Sequence, residues 1–322
     1  MTTYKNVRYK LPAVTLSGVT EGSPAEGDIW YDSGQFYLGT SQSILGVWSS
    51  GGNLATARRY LAGCGTQSAG LCMGGYVSAA SNITEEYNGT AWSSGGNLGT
   101  ARNSLAGAGT QSAGLSMGGA GPSNVTEEYD GTSWSAGGNL ATARRESAGA
   151  GTQTAGLSMG GTTGSNSNVT EEYDGSAWSS GGNLATARQQ LAGAGIQSAG
   201  LCMGGNDGSD STATEEYNGT SWSSGGNLAT AREAPAGAGT QSAGLCIGGD
   251  DDSGMLNGTE EYNGTAWSAG GNLATARKAL AGAGTQTAGL SMGGEAGANT
   301  NVTEEYDPGD TFDLLFNAVS GS

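Results

Sequence analysis

The chain has 322 residues, 62 of them Gly, and 13% are charged; without a G-X-Y period this composition excludes collagen and leaves either low complexity or many short strands and turns. A net charge of −17 argues against a basic nucleic-acid patch and against binding to an anionic membrane surface. No apolar run reaches about 18 residues, so no membrane-inserted helix is expected, and the N-terminal MTTYKNVRYKLPAV lacks the apolar centre of a signal peptide.

The first predicted element lies within residues 1–40, which stand outside everything that follows. There, DIWYD, an SG turn and QFYLGT read as a β-hairpin. Next comes ILGVWSSGGNL, a predicted strand at about 44–54 centred on Trp48, with no sequence-adjacent partner. From there to residue 306 the chain repeats itself. Trp48, Trp92, Trp134, Trp178, Trp222 and Trp267 open the same W-S-[SA]-G-G-N-L segment at steps of 44, 42, 44, 44 and 45 residues.

Each unit divides into four short predicted strands. In ARNSLAGAGTQSAGLSMGGAGPSNVTEEYDGTSWSAGGNL these are SLAGAG, GLSMGG, NVTEEY and a strand beginning at the Trp. TQSA and the NG or DG dipeptides supply the turns, where Gly and Asn accept positive φ. The absence of a 3.6-residue apolar period disfavours a helical solenoid; a β-solenoid with one coil per unit is the remaining rival. A four-stranded sheet this small cannot bury its own faces, so it must stack on copies of itself, which predicts a β-propeller.

In one unit, Arg102, the double glycine Gly118-Gly119, Glu127, Tyr129 and Trp134 stand in an order that resembles the kelch repeat. All six units carry the Arg, the double Gly and the Tyr. Two features depart from that pattern: a shorter Tyr–Trp spacing, and Glu rather than an apolar residue before the Tyr. The resemblance implies an all-β, six-bladed propeller over residues 41–306. The last unit ends at NVTEEYD, one strand short, and the orphan Trp48 strand is the expected fourth strand. Trp48 should then lie beside Tyr306 and not beside Tyr87, closing the ring without an open edge. The alternative is closure by TFDLLF in the tail, 307–322.

The recurring large residues read as the scaffold: Trp48, Tyr87, Trp92, Arg102, Tyr129, Trp134, Arg144, Tyr173, Trp178, Arg188, Tyr217, Trp222, Arg232, Tyr262, Trp267, Arg277 and Tyr306. Alternation along TEEY puts Glu85 on the face of Tyr87 and Glu86 on the other. The paired carboxylates therefore do not converge on one substrate atom, and the unit Arg is the natural partner of one of them. With no His there is no conventional triad base, and no catalytic residue, cofactor or metal ligand is assigned. The four cysteines, Cys64, Cys72, Cys202 and Cys246, stand where other units carry Ser or Ala and read as small core residues. Only Cys64 and Cys72, on adjacent predicted strands, are placed to pair.

Differences between units concentrate in the loop between the second and third strands and in the two residues after each unit Arg. In an antiparallel blade both lie at one end, so one face of the disk varies while the other stays uniform. The binding candidates on the varied face are Arg59, Tyr60, Tyr76, Arg145, Glu146, Asp207, Glu233, Asp250, Asp251, Asp252 and Lys278. The Asp250–Asp252 run is also open to a cation-binding reading.

The N-terminal hairpin resembles short modules of tail-fibre and other appendage proteins of tailed bacteriophages. The GTQSAGL and EEYNGTAW phrases resemble Gly-rich propeller arrays in virion proteins of marine phages. That resemblance implies a non-enzymatic virion protein, assembled in the host cytoplasm. Its N-terminal segment would dock on other virion proteins, and its propeller would bind a host-surface glycan, a host protein or a virion partner. A homo-oligomer is compatible with this reading. Nucleic-acid binding and membrane insertion are not expected. The alternatives are a glycan-processing enzyme with an axial carboxylate site and a cellular kelch interaction module.

Overall fold

The computed structural model describes residues 29–32, 35–38, 46–308 and 315–316. The chain divides into two compact units, Leu45–Gly309 and a second one made from its two ends. In the second unit Ile29–Asp32 and Gln35–Leu38 form the expected antiparallel hairpin, and Leu315–Phe316 adds to its free edge. The tail therefore pairs with the hairpin and does not supply the closing strand of the repeat array. The rest of the expected attachment segment lies outside the described residues.

The larger unit is a six-bladed β-propeller. Blade 1 comprises an inner strand Ala62–Thr66, a second strand Ala69–Met73, a third Thr84–Tyr87 and an outer Trp92–Ser94. Blades 2 to 5 repeat this order at 106–136, 148–180, 192–224 and 236–269. The double Gly lies just beyond the second strand, at positive φ, as in Gly118 (67°) and Gly119 (132°). In blade 5 the longest connecting loop forms its own two-stranded hairpin, Asp250–Asp251 with Gly254–Met255.

Blade 6 is built from both ends of the repeat array. Ala281–Thr285, Ala288–Met292 and Thr303–Asp307 come from the C-terminal side, and Val47–Ser50 completes the sheet. The register sets Tyr306 opposite Trp48, and their rings lie 4.9 Å apart. The other five blades place Tyr and Trp at 4.8–5.0 Å, so the composite blade reproduces the continuous ones. The inner strand of blade 6 lies against that of blade 1 as every other inner strand lies against its neighbour, and the ring is closed.

The core is six copies of one interface. Between blades 3 and 4, Ala148, Ala150, Leu157 and Met159 meet Leu184, Leu191, Cys202 and Tyr217. Between blades 6 and 1, Ala281, Ala283, Leu290 and Met292 meet Leu54, Leu61, Cys72 and Tyr87 in the same way. The alternation of Ala and Gly along the inner strands follows from how tightly they converge. A Cβ on Gly149 would lie 2.5 Å from the Gly107 carbonyl oxygen, and one on Gly107 would lie 3.1 Å from that of Gly63. The relation continues through Gly282, whose Cβ would lie 2.5 Å from the oxygen of Gly237. Only residues without side chains, facing the neighbouring inner strand, let six strands meet at one axis.

Polar residues tie each blade to the one before it. Trp134 Nε1 donates to Thr84 Oγ1 at 2.9 Å, and Tyr129 Oη donates to Glu86 at 2.5 Å. At the seam Trp48 Nε1 donates to Thr259 Oγ1 at 2.9 Å and Tyr306 Oη donates to Glu261. The Glu before each Tyr is thus the acceptor for the next blade's phenol, which accounts for a carboxylate at that position. In the TQSA turns Gln111 Nε2 donates to the carbonyls of Gly70 and Tyr87, and all six units repeat this staple.

Within a blade, the unit Arg is buried against the first Glu of TEEY. Arg144–Glu171 closes at 2.6 Å and Arg277–Glu304 at 2.7 Å, with both side chains at most 2% exposed. Arg102 also donates to the Gly118 and Val125 carbonyls and to Ser116 Oγ, so one guanidinium fixes three chain segments. Burial lowers the pKa of Arg102, Arg144 and Arg277, and the facing carboxylates oppose that shift.

All four cysteines are free and buried. Cys64 faces Leu71 and Cys72 faces Gly63 in the register, so the two adjacent-strand thiols are not opposed. Burial pushes the thiols up, to about 12 for Cys64 and Cys246 and about 11 for Cys202. Cys72 is raised too, although Arg58 pulls against it. The folded protein should therefore show no rapidly reacting thiol towards Ellman's reagent at mildly alkaline pH, and four once unfolded in denaturant. A fast-reacting thiol in the native protein would contradict this burial.

Candidate binding face

The varied face is organised by a ring of backbone hydrogen bonds about the axis. Immediately before each inner strand, the second residue after the unit Arg adopts a left-handed conformation. These residues are Tyr60 (52°), Ser104 (54°), Glu146 (57°), Gln190 (52°), Ala234 (49°) and Ala279 (51°). None is Gly, so each holds a conformation that costs about 1 kcal/mol or more. The surroundings hold it there: the N–H of each donates to the carbonyl of its counterpart in the preceding blade, at 2.8–3.0 Å, from Ser104 to Tyr60 and round to Tyr60 on Ala279.

The side chains of this ring line an axial cavity of about 80 Å³. A second tier, Leu61, Leu105, Ser147, Leu191, Pro235 and Leu280, forms its floor and walls. The cavity is chemically lopsided. Blades 1 to 4 bring a phenol, a hydroxyl, a carboxylate and an amide; blades 5 and 6 bring Ala234, Pro235 and Ala279. Glu146 is its one carboxylate, with a side chain 15% exposed and an oxygen 3.7 Å from Arg145 Nε. Burial raises the Glu146 pKa, Arg145 lowers it and Glu233 adds to the rise. Burial likewise raises the Tyr60 phenol, against the opposing charge of Arg59.

Around this mouth, the first residue after each Arg and the first residue of the variable loop are laid side by side. Arg59 pairs with Tyr76, Arg145 with Thr162, Gln189 with Asn206, Glu233 with Asp250 and Lys278 with Glu295 as backbone bridges. The two varied segments of each unit therefore form one continuous strip of this face. Several side chains then reach to the preceding blade. Arg59 binds Glu295 at 2.6 Å and lies over the rings of Tyr60 and Tyr76 at 5.6 and 5.3 Å. Lys278 pairs with Asp250, and Asn206 donates to Glu233 at 2.9 Å.

The remaining candidates are looser. Arg145 is 45% exposed on its side chain, and its charge is answered only by Glu146 among the described residues. Asp207 and Asp252 are exposed in their loops. Asp251 is engaged in its own turn, where hydrogen bonds from Ser253 and Gly254 pull its pKa down. Among the described residues no three His, Cys, Asp or Glu side chains converge to hold a metal ion.

Sequence reasoning placed Tyr60 and Glu146 on this face but not at the axis, and it did not single out Gln190, Ala234, Ala279 or Ser147. The signal was present in the sequence as the varied pair after each Arg. What pairwise variation does not show is which of the two residues turns inward. Residue types gave no hint either, because positive φ is normally flagged by Gly or Asn. No protein-family model matches the chain, and a search of curated proteins finds no match.

Proposed function

We propose that this chain is a non-enzymatic binding protein of a virion, a tail-fibre or capsid-associated component that presents the varied face of a kelch-type propeller to a host-surface or virion partner. The observation that carries the reading is the contrast between the two faces. One is a uniform skeleton of Gln staples and Asx turns. The other keeps the same backbone but varies its chemistry: Tyr, Ser, Glu and Gln in blades 1 to 4 and Ala in blades 5 and 6 occupy equivalent strained positions. Loops vary freely as solvent-exposed connections, but the ring positions are half-buried or buried at the axis, where unconstrained drift is less tolerated. The single carboxylate in the cavity supports binding over glycoside hydrolysis, which in most families uses two. The second unit, with the hairpin and Leu315–Phe316, is the proposed docking element.

Mass spectrometry of purified virus particles whose genome encodes this chain tests the assignment. The chain is expected in the particle in fixed ratio to the other structural proteins. Its presence in infected-cell extract and absence from particles would overturn the virion assignment.

A further inference from the structure

On the uniform face, blades 1 to 5 join their third and outer strands through one kind of exposed turn, which opens with Asn-Gly or Asp-Gly. Blades 1, 4 and 5 carry Asn88-Gly89, Asn218-Gly219 and Asn263-Gly264; blades 2 and 3 carry Asp130-Gly131 and Asp174-Gly175. The backbone does not distinguish the two. The Gly φ lies at 84–90° in all five. In each, the Asn or Asp Oδ1 accepts the main-chain N–H groups two and three residues further on, at 2.7–3.0 Å. That positive φ calls for Gly, so a unit can vary only the residue before it.

We propose that this turn makes Asn88, Asn218 and Asn263 sites of spontaneous deamidation in the folded protein, ahead of the fourth Asn-Gly pair, Asn257-Gly258. The inference stands apart from the reading of the varied face. The Gly main-chain nitrogen attacks the Asn Cγ. A C–N bond forms, the Cγ–Nδ2 bond breaks, and ammonia leaves with the proton that the Gly nitrogen gives up. Water then opens the five-membered imide at either carbonyl and leaves Asp or isoaspartate. Three features of the turn favour the attack. The attacking nitrogens of Gly89, Gly219 and Gly264 donate to no other described residue, so no hydrogen bond has to break. The two N–H groups on Oδ1 polarise the amide and meet the negative charge that develops on that oxygen, as oxyanion donors do. The leaving Nδ2 belongs to an exposed side chain and likewise donates to no other described residue. Asn257 differs at this last point: its Nδ2 donates to the Leu273 carbonyl at 3.3 Å, a bond that departure of ammonia must break.

Deamidation to Asp recreates the turn already present in blades 2 and 3. There, hydrogen bonds from Ser133 and Thr132 hold Asp130 below the ordinary carboxylate range, and those from Ala177 and Ser176 do the same for Asp174. Each new Asp is therefore ionised and adds one negative charge to the net −17, all of it on the uniform face. Isoaspartate instead adds a carbon to the main chain and disturbs the two N–H bonds to the side chain.

Incubating the full chain in heavy-oxygen water at mildly alkaline pH, followed by peptide mass spectrometry, tests this. In the native chain the peptides holding Asn88, Asn218 and Asn263 are expected to gain one heavy oxygen each, at similar rates. Asn257 is expected to lag by about threefold or more, the effect of one retained hydrogen bond. In denaturant, where the turns are lost, the four sites should converge on one rate. The triple variant Asn88→Asp, Asn218→Asp and Asn263→Asp should keep the melting temperature and lose the early acidic species seen on ion exchange. The inference is overturned if the native turn peptides stay unlabelled while the denatured ones convert, because the turn then protects its Asn. It is also overturned if Asn257 keeps pace with the three in the native chain. Each of these outcomes leaves the virion assignment to its own test.

Discussion

Removing residues 1–50 is expected to lower the melting temperature of the propeller by on the order of 10 °C or more, whereas removing residues 1–40 leaves it nearly unchanged. The longer deletion takes away Val47–Ser50, the outer strand of blade 6. With it goes Trp48, 8% exposed and packed with Tyr306, Leu273, Leu280 and residues of blade 5. Truncating a buried Trp alone costs about 3–5 kcal/mol. The lost strand also leaves the third strand of blade 6 as an open edge, a template for association with other copies. The shorter deletion stays within the unit formed by the chain ends. Differential scanning calorimetry of the two deletions separates them, and equal melting temperatures would show that the N-terminal strand contributes little to closure.

Arg144→Met should destabilise the protein by about 3–5 kcal/mol, far more than loss of an exposed charge. The substitution leaves Glu171, 2% exposed on its side chain, in a site built for an ion pair. It also frees the Gly160 and Val169 carbonyls that the guanidinium now holds at 3.0 and 2.8 Å. Glu171 keeps the Ala141 and Thr142 N–H groups as donors, but two amides do not replace a full opposite charge. Adding Glu171→Leu to Arg144→Met should recover part of the loss, because the pair is then removed whole. Denaturant titration of the single and double variants measures both. A single-variant loss under about 1 kcal/mol would mean that this pair behaves like a surface one.

The fold was legible because six copies speak in phase. The Trp spacing set the blade length, TEEY and W-S-[SA] set the outer strands, and the missing strand after Tyr306 pointed to Trp48. Contacts between blades were less legible. Alternation put Glu85 and Glu86 on opposite faces, yet only the assembled ring shows that Glu86 accepts the phenol of Tyr129. The same holds for Gln111, which in the sequence is one polar residue of a turn. Arg59 and Lys278 read as free recognition residues, but Glu295 and Asp250, which meet them, belong to neighbouring blades. The axial ring was hidden for a different reason. Its φ values are imposed by closure of the whole disk, so Tyr60 or Glu146 carries no local mark of them.

The most direct test of a ring closed by its own N-terminal strand is a covalent link across the seam. Val47 and Asp307 face each other in the register, and both are exposed, with Val47 at 57%. Val47→Cys with Asp307→Cys, oxidised at low protein concentration, is expected to form one disulfide within the monomer, identified by peptide mass spectrometry and reversed by reductant. Failure to link, or links only between molecules, while the buried native thiols stay reduced, would contradict the closed ring.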